Sequence, residues 1–278
     1  MRKTAQKLIL FLSLLALIKL PFALFYLDEQ NFRKAKFSEN KYDTVFIGSS
    51  RTKYAVMPSY FDALTERQTK SYNFGVDAGL PPQTFDWCEN LIESSQSLRY
   101  VFFELSGGIK TMSFTELENS QNHLAIDFFR PQMPIQYFDY NFPFENVLED
   151  GELEAKIPVS PENIRLSLSF NQRVENDLVS SFPSKENYWV RIKRLIELAE
   201  AKQIRVFFFV PPRLETENEL KTVLPIYREL EAKYKLTVNH YEQRLYEEET
   251  SINDFHLNRA GAVIFTENMA QAFNELNF

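Results

Sequence analysis

Val45-Phe46-Ile47-Gly48-Ser49-Ser50-Arg51 is the stretch from which the fold can be read. The apolar run from Thr44 to Ile47 has the composition of a buried strand, and it stops at a glycine and two serines. The residues that follow, to about Leu64, can begin a helix. A strand ending in Gly-Ser-Ser sets small hydroxyl side chains at the carboxyl edge of a sheet, where open α/β folds bind ligands. The N–H groups that open the next helix favour negative charge at the same place. Taken alone, the stretch is equally a strand followed by a serine N-cap. The far end of the chain tips the balance. Asp254-Phe255-His256-Leu257-Asn258 sets a histidine just ahead of a closing helical pattern.

Outward from that strand, the pattern alternates. Ser71 to Phe74 is a short second strand, followed by the turn-rich Gly75-Val76-Asp77-Ala78-Gly79-Leu80-Pro81-Pro82. Proline suits the first turn of a helix, so a helix is expected from Pro82 to about Ser97. Tyr100 to Leu105 is a third strand, largely apolar on both faces, as a central parallel strand is. Further on, Trp189, Ile192, Leu195, Ile196 and Leu198 recur at helical spacing within Lys185 to Lys202. Ile204 to Val210 is a strand closed by Pro211-Pro212, and Glu217 to Lys233 is an amphipathic helix. Leu236 to Asn239 reads as a last strand, and Asn258 to Leu276 as the closing helix. Strands alternating with helices predict an α/β fold: a parallel sheet with helices on both faces.

Two segments fall outside this alternation. Residues 107–183 are rich in Phe, Tyr, Asn and Pro. Long irregular segments are functional or disordered, and the aromatic content argues against disorder. They are expected to form either a lid or partner-contacting insertion, or a cover for one sheet edge. At the N-terminus, Arg2, Lys3 and Lys7 precede an apolar run from Leu8 to Leu27 interrupted by Ser13 and Lys19. About 20 apolar residues span a bilayer, and the basic flank predicts a cytoplasmic N-terminus. Residues 1–27 are therefore expected to be a membrane anchor. A cleaved signal segment and a buried core helix are the alternatives. Residues 28–41 read as a linker, and 42–278 as the α/β domain carrying the insertion.

Composition narrows the chemistry. The net charge of −7 argues against a nucleic-acid partner. One cysteine, Cys88, excludes an internal disulfide and a cysteine-rich zinc site. The three histidines, His123, His240 and His256, show no HExxH or HxH spacing, so no dedicated metal site is expected. Loops after parallel strands share one sheet edge, so the segments around Ser50, Gly79, Ser106 and His256 can converge. A serine becomes a nucleophile at neutral pH when a base such as histidine takes its proton. The base in turn needs a partner that fixes its tautomer, and Asp254 is the nearest carboxylate in sequence.

These motifs together resemble the SGNH/GDSL hydrolase-like superfamily. Phe46-Ile47-Gly48-Ser49-Ser50-Arg51 is similar to its first block, with Ser50 at the nucleophile and Ser49 in place of the usual Asp. This Gly-Ser-Ser form resembles membrane-attached relatives that work with O-acyltransferases on cell-surface polymers. Among these are the D-alanine transfer proteins of teichoic acids and the alginate O-acetylation proteins. Tyr72-Asn73-Phe74-Gly75-Val76-Asp77-Ala78-Gly79 is similar to the second block, with Gly79 at the oxyanion donor. Asp254-Phe255-His256-Leu257-Asn258-Arg259-Ala260-Gly261 resembles the last. There the family's acid position holds Asn253, and the carboxylate comes one residue later, at Asp254. The third block has no counterpart: Glu104-Leu105-Ser106-Gly107-Gly108 stands where an Asn donor belongs.

The resemblance implies a flavodoxin-like three-layer sheet with neither metal nor organic cofactor. It implies an extracytoplasmic serine esterase or O-acyltransferase acting on acyl groups of a cell-surface glycan or polymer, beside a membrane-bound acyltransferase partner. The catalytic set is then Ser50, His256 and Asp254, with Gly79 and Asn253 in support. Arg51 is expected either to bind a substrate anion or to form a surface salt bridge. The missing third block leaves a second expectation open: a scaffold or binding module that kept the fold and lost the chemistry.

Overall fold

The computed structural model describes residues 42–67, 69–75, 81–106, 185–213, 219–239, 247–252 and 256–276, with 4, 6–14, 17 and 37 nearer the N-terminus. Four strands form one sheet: β1 (Thr44–Gly48), β2 (Ser71–Gly75), β3 (Tyr100–Glu104) and β4 (Arg205–Phe209). Their order is β2-β1-β3-β4 and every pairing is parallel. That is the order of a flavodoxin-like sheet. The expected last strand contributes one parallel bridge, Phe208 to Thr237, and no ladder. Phe208 N donates to the Leu236 carbonyl at 2.7 Å, and Val238 N to the Phe208 carbonyl at 3.3 Å.

Side chains alternate across the strands, so each strand feeds two cores. Val45, Ile47, Tyr72, Phe74, Val101, Phe103, Val206 and Phe208 point to one face. There they meet α3 (Pro81–Ser94) and α4 (Lys185–Ala201). The segment 219–234, in which two π-helical turns flank α5 (Leu224–Glu229), covers the same face. Phe46, Phe102, Phe207 and Phe209 point the other way, toward α1 (Ser50–Ala55), α2 (Pro58–Leu64) and α6 (Arg259–Glu275). Phe46 stacks on Phe102 at 4.6 Å between ring centroids, and Phe61 meets Phe46 edge-on at 4.9 Å. Such pairs add about 0.5–1.5 kcal/mol each beyond their burial. The result is three layers, with the sheet buried between helices.

The helix expected from Ser50 to Leu64 is two helices. Pro58 opens α2, and its ring pushes the preceding Met57 out of the helical region, to φ −108° and ψ 95°. The helix beginning at Pro81 ends at Ser94, short of the expected Ser97. Asn73 ties β2 to the carboxyl end of α1. Its amide donates to the carbonyls of Thr52 at 3.0 Å and Val56 at 2.8 Å.

The insertion lies outside the described residues. Those described between 4 and 17 are helical, and Leu8, Ile9, Leu10, Phe11, Leu12, Leu14 and Leu17 are exposed. Among the described residues no helix is long and apolar enough to cross a membrane.

Candidate active site

In this strand order the chain leaves β1 for one neighbour and later returns on its other side. The switch point therefore lies between the carboxyl ends of β1 and β3, where open sheets form their ligand crevice. Gly48-Ser49-Ser50 ends β1 there and Glu104 ends β3.

Ser50 is the first residue of α1, and Ser49 is its N-cap, with the Ser49 hydroxyl accepting from Arg51 N at 3.1 Å. His256 reaches the same place from the other end of the chain. Ile252 N donates to the His256 carbonyl at 2.8 Å, and Asn258 N to the Thr250 carbonyl at 2.9 Å. These bonds and the bridge between Ser251 and Leu257 set residues 250–252 against 256–258. Asn258 then caps α6, accepting from Gly261 N at 3.0 Å. A side chain at Gly261 would place its Cβ 2.3 Å from the Thr250 carbonyl oxygen, so glycine is required for this close approach. The histidine's carbonyl and the two residues after it are thus tied by backbone to 250–252, and its Nε2 lies 2.8 Å from Ser50 Oγ.

His256 is buried, and burial pulls its pKa from 6.5 down to about 3, with the charges of Arg51, Lys53 and Arg213 pushing the same way. The ring is therefore neutral at physiological pH. In the tautomer with Nε2 unprotonated, the Ser50 hydroxyl donates to it.

Arg51 is not at the surface. It is 5% exposed, and its guanidinium lies 3.6 Å from Glu219, itself 2% exposed. A second guanidinium N–H of the same end donates to the Pro211 carbonyl, joining α1 to the end of β4. Arg213 approaches the other oxygen of Glu219 at 3.8 Å. The expected ion pair exists, but in the interior. Lys53 is fully buried as well. Gly79, Asn253 and Asp254 lie outside the described residues, as does His240.

Sequence reasoning passed over Glu104. Its carboxylate is 2% exposed and takes hydrogen bonds from four donors. Ser49 N and Ser49 Oγ donate at 2.8 Å, Thr52 Oγ1 at 2.6 Å and Thr52 N at 3.3 Å. Gly48 makes the room: a Cβ there would lie 2.3 Å from Glu104 Oε2. The signal was present as one acidic residue closing an otherwise apolar buried strand. Lys53, Tyr54, Arg213 and Glu219 carry no such mark.

No family model matches the chain. No curated protein matches it either. Among solved structures it is similar to a G-D-S-L family lipolytic protein from Desulfitobacterium hafniense, at 12% identity over 82% of this chain and 98% of that one, with a TM-score of 0.47. A GDSL-like lipase from Bacteroides thetaiotaomicron is 12% identical over 90% of this chain and 97% of that one, with a TM-score of 0.46. An acetyl-xylooligosaccharide esterase from Geobacillus is 12% identical over 85% and 95%, with a TM-score of 0.43.

Proposed function

We propose that this chain is a serine esterase or O-acyltransferase of the SGNH type, with Ser50 as nucleophile and His256 as its base. The observation that carries the reading is the 2.8 Å contact between Ser50 Oγ and His256 Nε2 at the switch point of a parallel sheet. Ser50 attacks an acyl carbonyl while its proton passes to Nε2. The imidazolium then protonates the departing oxygen, leaving an acyl-serine. A hydroxyl acceptor or water then attacks the acyl-serine as its proton passes to the same nitrogen; the acyl group moves to that oxygen, and Ser50 departs and takes the proton back from Nε2.

Arg51, Lys53 and Arg213 oppose a lone imidazolium, yet they favour the oxyanion that forms with it. Their positive field is thus worth more in the transition state than in the resting enzyme. The N–H of Ser50 is one donor to that oxyanion in this reading, and Gly79 the other. Asp254, or Asn253, holds the remaining ring nitrogen. The acyl group is taken to be small, such as acetyl, and its carrier a cell-surface glycan or polymer. The apolar run near the N-terminus is the membrane anchor, the α/β domain is extracytoplasmic, and a membrane-bound acyltransferase is the partner.

One observation favours a second reading, a binding module without chemistry: a ring with a pKa near 3 is a weak base. A fluorophosphonate probe separates the two. Labelling of wild type and not of Ser50→Ala supports the enzyme; no labelling of either supports the module.

A further inference from the structure

We propose that Glu104 is a positioning residue for Ser50, acting through Ser49; this rests on the serine-nucleophile reading above. A carboxylate can only accept, so it dictates the direction of every bond it makes. Ser49 Oγ–H must point toward Glu104, at 2.8 Å from Oε1. The lone pairs of that oxygen are thereby turned to Arg51 N–H, which donates at 3.1 Å. Oε2 takes Ser49 N–H and Thr52 N–H together with the Thr52 hydroxyl. The N–H groups of Ser49, Arg51 and Thr52 are therefore all committed. That of Ser50 has no hydrogen-bond partner among the described residues. The network holds the turn from beneath. It leaves the Ser50 N–H open, among the described residues, beside the Ser50 hydroxyl that faces His256.

A serine cap alone would secure the helix end. Burying a carboxylate under it costs desolvation, offset only when its oxygens are well satisfied. It also requires glycine at position 48. Charge-assisted bonds are shorter and stronger than neutral ones, and a catalytic serine needs that rigidity.

The test compares wild type, Glu104→Gln, Ser49→Ala and the double variant. Fluorophosphonate labelling rates and kcat and KM on 4-nitrophenyl acetate are measured, with folding checked by circular dichroism. Glu104→Gln is expected to lower labelling and kcat at least about tenfold, with KM within about threefold, because the loss falls on the reacting state. The double variant should be no more than about threefold slower than the slower single variant, because both act through one hydroxyl. Labelling of Glu104→Gln within threefold of wild type, or a raised KM with kcat intact, overturns the proposal. If Glu104→Gln does not fold, Ser49→Ala decides alone: wild-type labelling in it is equally fatal. If wild type itself does not label, the nucleophile reading fails separately. Amide exchange at Ser49 and Thr52, whose N–H groups Glu104 accepts, then decides whether the residue holds the turn, and unchanged exchange in Glu104→Gln overturns it.

Discussion

Tyr54 lies against His256, their ring centroids 4.7 Å apart and their planes 36° apart. Tyr54 belongs to α1, the helix that Ser50 opens, so one short helix presents the serine to the histidine and covers the ring as well. The same helix carries Arg51 and Lys53, two of the charges that hold the ring neutral.

That neutrality has a pH signature. In the unfolded chain the imidazole takes a proton as pH falls through about 6.5; in the folded chain it does so only near 3. Between those values the unfolded state binds more protons, so stability falls as pH falls. Melting temperature measured from about pH 7 to about pH 4 should decline, and less so in His256→Gln. Parallel curves for the two proteins would remove His256 as the cause.

Ser50→Ala and His256→Ala should each abolish turnover of an activated acyl ester. Ser50→Ala should cost little stability, because the serine is small; His256→Ala should cost more, because its buried ring packs on Tyr54. Their effects should be non-additive, since they act as one unit. A double variant slower by the product of the two single effects would show that the groups act independently.

The partner of the second ring nitrogen is testable by charge. If Asp254 holds it, Asp254→Asn should lower turnover by orders of magnitude, because only a carboxylate stabilises the imidazolium. If Asn253 holds it, Asn253→Ala should be the severe variant. Asp254→Asn within about threefold of wild type, about 0.65 kcal/mol in barrier, would sink the carboxylate assignment.

Arg51→Met should destabilise the fold with or without substrate. Removing one partner of a buried ion pair costs about 3–5 kcal/mol. The low end is expected, because Arg213 still faces Glu219. Denaturant unfolding measures it. A variant as stable as wild type that binds substrate more weakly would instead make Arg51 a substrate ligand.

Export can be tested through the carboxyl end. A reporter active only in the cytoplasm, fused after Phe278, should be silent if residues beyond about Phe32 cross the membrane. An active fusion would overturn the extracytoplasmic assignment.

The layers were legible in the sequence because burial on two faces leaves a local mark. Thr44 to Ile47, Ser71 to Phe74 and Tyr100 to Leu105 are short, apolar and separated by turn or helical patterns. Parallel pairing follows from the helices between them. The break at Met57 was equally local, written in Pro58, and was passed over. The weak final strand was not legible: Leu236 to Asn239 has strand composition, yet only Thr237 forms a bridge. Ladder formation depends on the partner's length and path, which composition does not encode.

For the site, sequence nominated Ser50 and His256 by residue type and place beside predicted elements. Only the tertiary structure set them 2.8 Å apart across 206 positions, since that distance depends on strand order and on how α6 docks. It also decided that Arg51 is interior and that Glu104 lies beneath the Gly48–Ser50 turn. Side-chain partners of that kind are chosen by which strands become neighbours. β1 and β3 lie side by side in the sheet although β2 intervenes in the chain, and no local pattern in either strand carries that choice.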